Sequence, residues 1–264
     1  MKNSILSSKI KSSLLASLFI LFAAFGTSTV SQAQAVKNIV IVHGAFADGS
    51  GWKSIHHILV NKGYHVSVVQ NPLTSLQADV DATNRIIDRQ DGPVILVGHS
   101  WGGTVITEAG VNPKVAALVY VAAFQPDKGE NTLKWATSLP AAPESGLGKP
   151  DDKGFLYYDK AKFRAGFAAD LSQEETDFMY DSQQPIVAAS FVTPITNAAW
   201  KTKPSYGIVA TEDKSIVPQI QINMYKRSNT KITEVKGSHV IFMSQPQAVA
   251  NVIIEAANNN GGTK

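Results

Sequence analysis

Short apolar runs rich in Val, Ile and Tyr alternate with stretches of helical spacing over most of the chain. The runs are Asn38–Val42, His65–Gln70, Val94–Val97, Val115–Ala123, Tyr206–Ala210 and Lys231–Val235. The helical stretches are Gly51–Lys62, Ser75–Arg89, Gly102–Val111, Pro218–Arg227 and Gln245–Asn258. Apolar strands joined by helical crossovers are typical of a parallel sheet with both faces covered. The pattern predicts an α/β fold of about six mostly parallel strands with helices on both faces.

The alternation stops between Phe124 and Lys203, over about eighty residues. A loop of that length without internal structure is uncommon in a compact domain. The stretch has Pro-, Gly- and Ser-rich joints and three helix-like segments of its own, which are Asp159–Ala169, Gln173–Ser182 and Ile186–Ser190. We therefore predict a helical cap inserted at about 125–203, after the strand that ends near Phe124.

Residues 1–35 have the three parts of a secretory signal in the usual order. Lys2, Lys9 and Lys11 make a positive start, Leu14–Phe25 is apolar, and Ala33-Gln34-Ala35 is a small-residue cleavage site. The apolar run is too short for a membrane span. We expect the signal to be removed, giving a periplasmic or secreted domain over 36–264. An uncleaved leader or membrane anchor is the alternative.

Charge and cysteine content exclude several classes of function. The chain has 24 basic and 21 acidic residues, and the signal contains three of the basic ones and no acid. The remainder is electrically balanced, which argues against nucleic-acid binding and against a basic membrane anchor. With no cysteine, the chain can form neither disulfides nor thiolate metal sites. No histidine and carboxylate cluster has metal-ligand spacing, so we predict neither metal nor cofactor; the sequence leaves the oligomeric state open.

The segment Gly98-His99-Ser100-Trp101-Gly102-Gly103 joins a predicted strand to a predicted helix and fits the pattern G-x-S-x-G. A serine on such a sharp turn projects its hydroxyl out of the sheet, and the helix start directs free N–H groups toward it. This placement makes Ser100 the candidate nucleophile.

A serine nucleophile needs a base and an acid that orients the base. His239 follows the last strand, and Asp213 follows the strand before it, which gives the chain order serine, acid, histidine. Glu212 and Asp127 are the alternative acids. The other histidines are expected to be structural or at the surface.

The loop after the first strand begins His43-Gly44-Ala45-Phe46. The backbone N–H of Ala45, or that of Phe46, together with the N–H of Trp101 could bind a developing oxyanion. A glycine after a strand is weak evidence alone, but its pairing with the serine turn strengthens the prediction.

Taken together, these motifs resemble α/β-hydrolases of the serine esterase type. The opening Val-His-Gly-Ala, the Gly-Ser-Gly-Trp ending at Trp52 and the segment Gly63-Tyr64-His65-Val66 are most similar to the plant methylesterase and hydroxynitrile-lyase-like branch and its bacterial relatives. The resemblance implies an α/β-hydrolase fold with Ser100 as nucleophile, His239 as base and Asp213 as acid. Because the mature chain would start almost at the strand before His43, we expect the two N-terminal strands usual for that fold to be absent.

The predicted cap is rich in aromatic residues, and it contains one arginine. An apolar roof over a serine favours uncharged esters with an alkyl or aryl part. We predict substrate contacts from Phe46, Trp135, Phe167 and Phe178. The predicted activity is carboxylic-ester hydrolysis through an acyl-enzyme. A hydroxynitrile lyase, a C–C hydrolase, a perhydrolase or a non-catalytic binding protein on the same fold is the alternative.

Overall fold

A parallel six-stranded sheet forms the centre of the molecule, as seen in a computed structural model that describes residues 35–261. Its spatial order is β2-β1-β3-β4-β7-β8, and all neighbouring strands run parallel. In chain order the strands are β1 (Asn38–Val42), β2 (His65–Val69), β3 (Val94–His99), β4 (Val115–Val121), β5 (Phe155–Leu156), β6 (Ile186–Val187), β7 (Ser205–Ala210) and β8 (Lys231–Val235). The predicted number and direction of the main strands are confirmed.

Ten α-helices are present among residues 35–261. They are α1 (Lys53–Asn61), α2 (Leu76–Asp88), α3 (Trp101–Ala109), α4 (Thr132–Ala136), α5 (Lys160–Phe167), α6 (Gln173–Asp181), α7 (Ala189–Val192), α8 (Pro218–Arg227), α9 (Ile241–Ser244) and α10 (Pro246–Asn259). Short polar caps and N-terminal prolines begin several of them: Ser75 caps α2, and Pro218 and Pro246 open α8 and α10. None of these helices is long and apolar enough to cross a bilayer. Residues 1–34 of the predicted signal lie outside the described range.

Complete burial of the central strands explains why they are apolar throughout. All residues of β1 and β3 are buried, and their register pairs Val42 with Gly98. The strands therefore end together at the edge of the sheet where the loops after β1 and β3 meet. Strand β4 ends at Val121, two residues earlier than predicted, because Ala122 takes a φ of 43° and the chain turns away from the sheet.

The segment between β4 and β7 contains α4 to α7 and a two-stranded antiparallel ribbon of β5 and β6. We call this segment, residues 122–204, the cap. Asp159 caps α5, and Ser172 and Glu175 form a capping box at the start of α6. The predicted helix at Ile186–Ser190 is wrong for its first half, because Ile186 and Val187 pair with the ribbon strand before the chain turns into α7.

Candidate active site

Ser100 lies on the turn from β3 to α3 with a φ of 51° and a ψ of −120°. This left-handed backbone is strained for a residue with a side chain and persists only where the surroundings hold it. Two glycines permit the close packing around it. A Cβ on Gly102 would overlap the carbonyl of Val42, and one on Gly103 would overlap the carbonyl of Phe124. The turn therefore holds the Ser100 hydroxyl in a fixed position at the end of the sheet.

The structure brings Ser100, His239 and Asp213 together. The Ser100 Oγ lies 2.9 Å from His239 Nε2, and His239 Nδ1 lies 2.7 Å from Asp213 Oδ2. His239 and Asp213 are each 1% exposed and Ser100 is 8% exposed. An imidazole held between a carboxylate and a hydroxyl can take the hydroxyl proton when the serine attacks a carbonyl.

Four donors surround the Asp213 carboxylate and fix its orientation. Oδ1 accepts the backbone N–H of Ser215 at 2.8 Å and that of Ile216 at 2.9 Å. Oδ2 accepts the amide of Gln221 at 2.9 Å as well as the His239 Nδ1–H. The proton of His239 is therefore on Nδ1, which leaves Nε2 as the acceptor for Ser100. Sequence analysis missed Gln221, since a glutamine in a helix has no distinctive pattern.

Both alternative acids lie elsewhere. Asp127 is paired with Lys201 at 2.6 Å, and its side chain is 28% exposed. Glu212 is 3.6 Å from Lys236, and its side chain is 53% exposed. Neither carboxylate contacts His239.

Two further histidines, His99 and His43, form hydrogen bonds that fix the loops of the site. The His99 Nε2–H donates to the backbone carbonyl of His239 at 3.0 Å, and complete burial holds the pKa of His99 well below its usual value. The Nε2 of His43 accepts the N–H of Asn71 at 2.9 Å, so the His43 Nδ1–H donates to the Gly44 carbonyl at 2.8 Å. Burial also lowers the pKa of His43. Both imidazoles are thus neutral and structural.

The cap also forms hydrogen bonds with the segment that carries His239. Asp170, between α5 and α6, accepts the Ser238 N–H at 2.8 Å and the Ser244 hydroxyl at 2.7 Å, and it also bonds the Ser238 hydroxyl. Burial raises the pKa of Asp170, but these bonds outweigh it and hold the pKa below its usual value. The carboxylate therefore remains an acceptor next to His239.

The backbone N–H groups of Ala45 and Trp101 have no acceptor among residues 35–261. Trp101 is the first residue of α3, where the helix dipole is positive. The N–H of Phe46 is already donated to the Gln184 carbonyl at 3.0 Å. Of the two predicted alternatives, Ala45 is therefore the one available to an oxyanion.

A buried carboxylate lies directly behind Trp101. The Trp101 indole N–H donates to Asp79 Oδ2 at 2.8 Å, and the Leu73 N–H donates to Asp79 Oδ1 at 2.8 Å. Burial raises the pKa of Asp79 to about 6, although the two hydrogen bonds oppose the shift. The protonated Asp79 therefore contributes stability at low pH, and this one contribution is lost as the pH rises through its folded pKa of about 6.

Replacing Trp101 with phenylalanine is expected to destabilise the protein more at pH 8 than at pH 5. At pH 8 the ionised Asp79 loses a donor, at a cost of about 1.5 to 3 kcal/mol, whereas a protonated Asp79 depends less on it. Thermal unfolding at both pH values measures the difference. Trp200→Phe is the matched control, because its indole donates to the uncharged Pro126 carbonyl at 2.9 Å. Equal losses at both pH values for Trp101→Phe would contradict the role given to Asp79.

A cavity of 210 Å³ opens next to Ser100 and His239. Phe46 and Phe167, two of the predicted substrate contacts, line it, and among residues 35–261 no lysine, arginine, aspartate or glutamate does. The remaining lining residues are mainly apolar side chains of the cap and of the segment 216–220, including Leu133, Phe191, Ile216, Val217 and Ile220. Its polar contribution comes from a few hydroxyl groups, those of Thr137, Ser145, Tyr158 and Ser215.

The structure places the other two predicted substrate contacts outside this cavity. The Trp135 indole donates to Glu130 at 2.8 Å, and the guanidinium of Arg227 lies 4.5 Å above its ring. Phe178 is 69% exposed on α6 and lines a separate groove next to Met243. Helical spacing does not tell which face of a cap helix meets the sheet, so the sequence could not place these side chains relative to the cavity, and their contact with substrate stays a prediction. Across residues 35–261, no group of three or more His, Asp or Glu side chains is placed to hold a metal ion.

Comparison with known proteins agrees with this architecture. The model of the family described as "Alpha/beta hydrolase family" matches residues 39–252. The chain belongs to this family. This α/β hydrolase is 27% identical to Salicylic acid-binding protein 2 of Nicotiana tabacum, over 84% of its own length and 97% of that protein. It is 26% identical to Methylesterase 7 of Arabidopsis thaliana, over 84% and 96%. The resemblance found in the sequence is thereby confirmed.

Two solved structures illustrate the shared fold. A pyrethroid hydrolase from Sphingobium faniae superimposes with a TM-score of 0.72 at 22% identity, over 84% of this hydrolase and 98% of that chain. Polyneuridine aldehyde esterase superimposes with a TM-score of 0.73 at 18% identity, over 83% and 98%. The α/β-hydrolase fold predicted from the sequence is confirmed.

Proposed function

We propose that this α/β hydrolase cleaves carboxylic esters through an acyl-enzyme formed on Ser100. The observation that carries the proposal is the hydrogen-bonded line from Ser100 through His239 to Asp213, with distances of 2.9 and 2.7 Å. The relatives named as methylesterases support the same chemistry.

In the first half-reaction the Ser100 Oγ attacks the ester carbonyl while His239 Nε2 takes the hydroxyl proton. The carbonyl oxygen becomes an oxyanion that the N–H groups of Ala45 and Trp101 stabilise. When the tetrahedral intermediate collapses, the C–O bond to the alcohol breaks, and His239 returns the proton to the departing oxygen. In the second half-reaction His239 deprotonates water, which attacks the acyl carbon. The bond from that carbon to Ser100 Oγ then breaks, His239 returns the proton to Ser100, and the acid is released.

The cavity favours small, uncharged substrates. A carboxylate or phosphate on the ester would lose its hydration without a compensating ion pair, because no lysine or arginine of the described part of the chain lines the cavity. Its volume of 210 Å³ is below the roughly 300 to 1,000 Å³ typical of pockets for drug-sized ligands. We infer that the alkyl or aryl part of the ester occupies the apolar region under the cap.

Rates on p-nitrophenyl esters of increasing acyl length test the proposal, with active sites counted by an organophosphonate. We expect turnover of short acyl chains and a decline once the acyl group exceeds the cavity. The hemisuccinate ester, which carries a carboxylate, should react at least about 10-fold more slowly than an uncharged ester of equal length, through the cost of burying an unpaired charge. Protein that is labelled at Ser100 but hydrolyses none of these esters would contradict ester hydrolysis and favour another reaction on the same triad. Protein that is not labelled would favour a binding function.

We also propose that the protein is exported and cleaved after Ala35. The order of the basic, apolar and small-residue parts within 1–35 supports this proposal. Expression of the whole chain in a bacterium, followed by mass measurement of the periplasmic protein, tests it. A mature chain that begins at Val36 is expected, and an intact mass for the full 264 residues would contradict it.

A further inference from the structure

Asp79 has no part in the proton transfers above. It is nevertheless fully buried, and it is bonded to the side chain of Trp101, whose backbone N–H faces the oxyanion site. Among residues 35–261 it forms no ion pair with a lysine, arginine or histidine. A buried carboxylate without a cation is costly, and such costs are concentrated at functional sites. Its two oxygens bind two different segments, through the Trp101 indole and the Leu73 N–H.

One oxygen holds the residue that follows the nucleophile. The Trp101 side chain is fully buried, and its indole N–H is directed to Asp79 Oδ2. The ring also meets Phe191 of the cavity wall edge to face, with centroids 5.4 Å apart. These two contacts hold the ring in one position, and the ring in turn restrains the first residue of α3, whose backbone N–H faces the oxyanion site.

The other oxygen holds the segment 71–73, which in turn contacts the second half of the oxyanion site. Leu73 has a φ of 56°, an unfavourable backbone conformation that the bond to Asp79 helps to hold. Two residues earlier, the N–H of Asn71 binds His43 Nε2, and the Asn71 side chain binds the His43 carbonyl, both at 2.9 Å. His43 precedes Gly44 and Ala45.

The cap joins the same network. The Val187 N–H donates to the Leu73 carbonyl at 2.9 Å, and the Gln184 side chain donates to the Asn71 carbonyl at 3.0 Å. The Gln184 backbone carbonyl receives the N–H of Phe46, next to Ala45. The segment that Asp79 holds is therefore bonded to the Ala45 loop both through His43 and through the cap.

We propose that Asp79 is a positioning residue for the oxyanion hole, holding Trp101 directly and the Ala45 loop through segment 71–73. The proposal rests on the ester-hydrolase function above and adds a residue to it. Misplacement of reacting groups by about 1 Å can cost a rate factor of about 10². Loss of one oxyanion donor costs about 10² to 10³.

Asp79→Asn is the first test. Its amide oxygen can still accept the Leu73 N–H, but its amide nitrogen then faces the Trp101 indole N–H, donor against donor. We expect kcat to fall about 10- to 100-fold while KM changes less than about threefold, because the interaction matters most in the transition state. Asp81→Asn is the matched control, since Asp81 lies on the same helix, is exposed and bonds only Gln77. Its kcat should match the wild type.

A double variant separates positioning from a general loss of structure. Asp79→Asn combined with Trp101→Phe removes the donor conflict. The fold-loss in kcat of the double variant should therefore be smaller than the product of the fold-losses of the two single variants. If Asp79→Asn does not fold, Trp101→Phe alone should still show a kcat loss with little change in KM. Rates are measured on folded protein whose active sites have been titrated.

A reactive ketone gives a readout of the oxyanion hole itself. Phenyl trifluoromethyl ketone would add to Ser100 and place its oxyanion in the hole, whereas acetophenone would bind mainly through its apolar part. The trifluoromethyl ketone should bind Asp79→Asn about 10- to 100-fold more weakly than wild type, with acetophenone unchanged. If both proteins bind the trifluoromethyl ketone equally, the role of Asp79 is overturned and the proposed ester-hydrolase function still stands. Failure of the wild type to form the adduct would overturn the proposed function and this role together.

Discussion

Replacing Ser100 with alanine is expected to lower kcat by at least about 10³-fold while leaving the free energy of unfolding within about 1 kcal/mol of wild type. In the proposed mechanism this hydroxyl forms the acyl bond. Alanine keeps the β-carbon, so the strained backbone at a φ of 51° is neither relieved nor worsened. The variant loses one hydrogen bond, from the Ser100 hydroxyl to His239 Nε2, and Ser100 is 8% exposed.

The measurement is hydrolysis of a short p-nitrophenyl ester, together with thermal unfolding. Ser50→Ala is the control, because Ser50 is an exposed serine whose hydroxyl has no contact with the triad. A Ser100→Ala protein that retains more than about a tenth of the wild-type rate would exclude Ser100 as the nucleophile.

Replacing Asp213 with asparagine is expected to lower kcat by up to about 10⁴-fold, the loss known for such a change in another serine triad. In this protein the surroundings determine the orientation of the new amide. Two backbone N–H groups require an acceptor at Oδ1, so the amide nitrogen must take the Oδ2 position. There it faces His239 Nδ1 and forces the imidazole proton onto Nε2, which can then no longer accept the proton of Ser100.

Hydrogen bonds of Gln221 prevent it from rotating to accept from the new amide. Its amide group donates to Asp213 and to the Ile216 carbonyl, and its amide oxygen accepts the Ala210 N–H at 3.2 Å. The substitution itself removes the bond from Gln221 to Asp213, and rotation of Gln221 to accept from the new amide would break its two remaining hydrogen bonds. Asp127→Asn is the control, because it removes a surface ion pair worth less than about 1 kcal/mol. If Asp127→Asn loses activity and Asp213→Asn retains it, the acid has been assigned to the wrong strand.

The strands could be predicted well because the central sheet is buried on both faces. Runs such as 38–42 and 231–235 have the predicted limits, since turn residues flank them directly. The triad could be predicted because each member follows a strand, and parallel strands end at one edge of the sheet. The contact between Ser100 and His239 was therefore predictable, although they are 139 positions apart in the chain.

Contacts that depend on the packing of one element against another could not be predicted. The ribbon strands Phe155–Leu156 and Ile186–Val187 are two residues long, too short to show a period. Phe178 and Phe167 belong to similar amphipathic helices, yet one is exposed and the other faces His239. In the sequence Asp79 is an ordinary acid in the first turn of a predicted helix. Its hydrogen bond with the Trp101 indole is visible only in the folded structure.

The cap begins and ends on two neighbouring strands, since β4 and β7 are hydrogen-bonded to each other. These strands run parallel, so the cap leaves from the end of β4 and returns to the start of β7, and Val121 and Ser205 are offset along the sheet by three residues, about 10 Å. A longer segment can close this gap at little further cost, because each doubling of its length costs only about 0.6 kcal/mol in closure entropy. A cap of different length from a related hydrolase should therefore cost little in closure entropy, and such a graft would be a route to new substrate ranges. The graft must nevertheless retain the backbone of 184–187, because this segment supplies the carbonyl that occupies the Phe46 N–H and the donor that binds Leu73. A chimera that alters these four residues would receive a new pocket together with a disturbed oxyanion site.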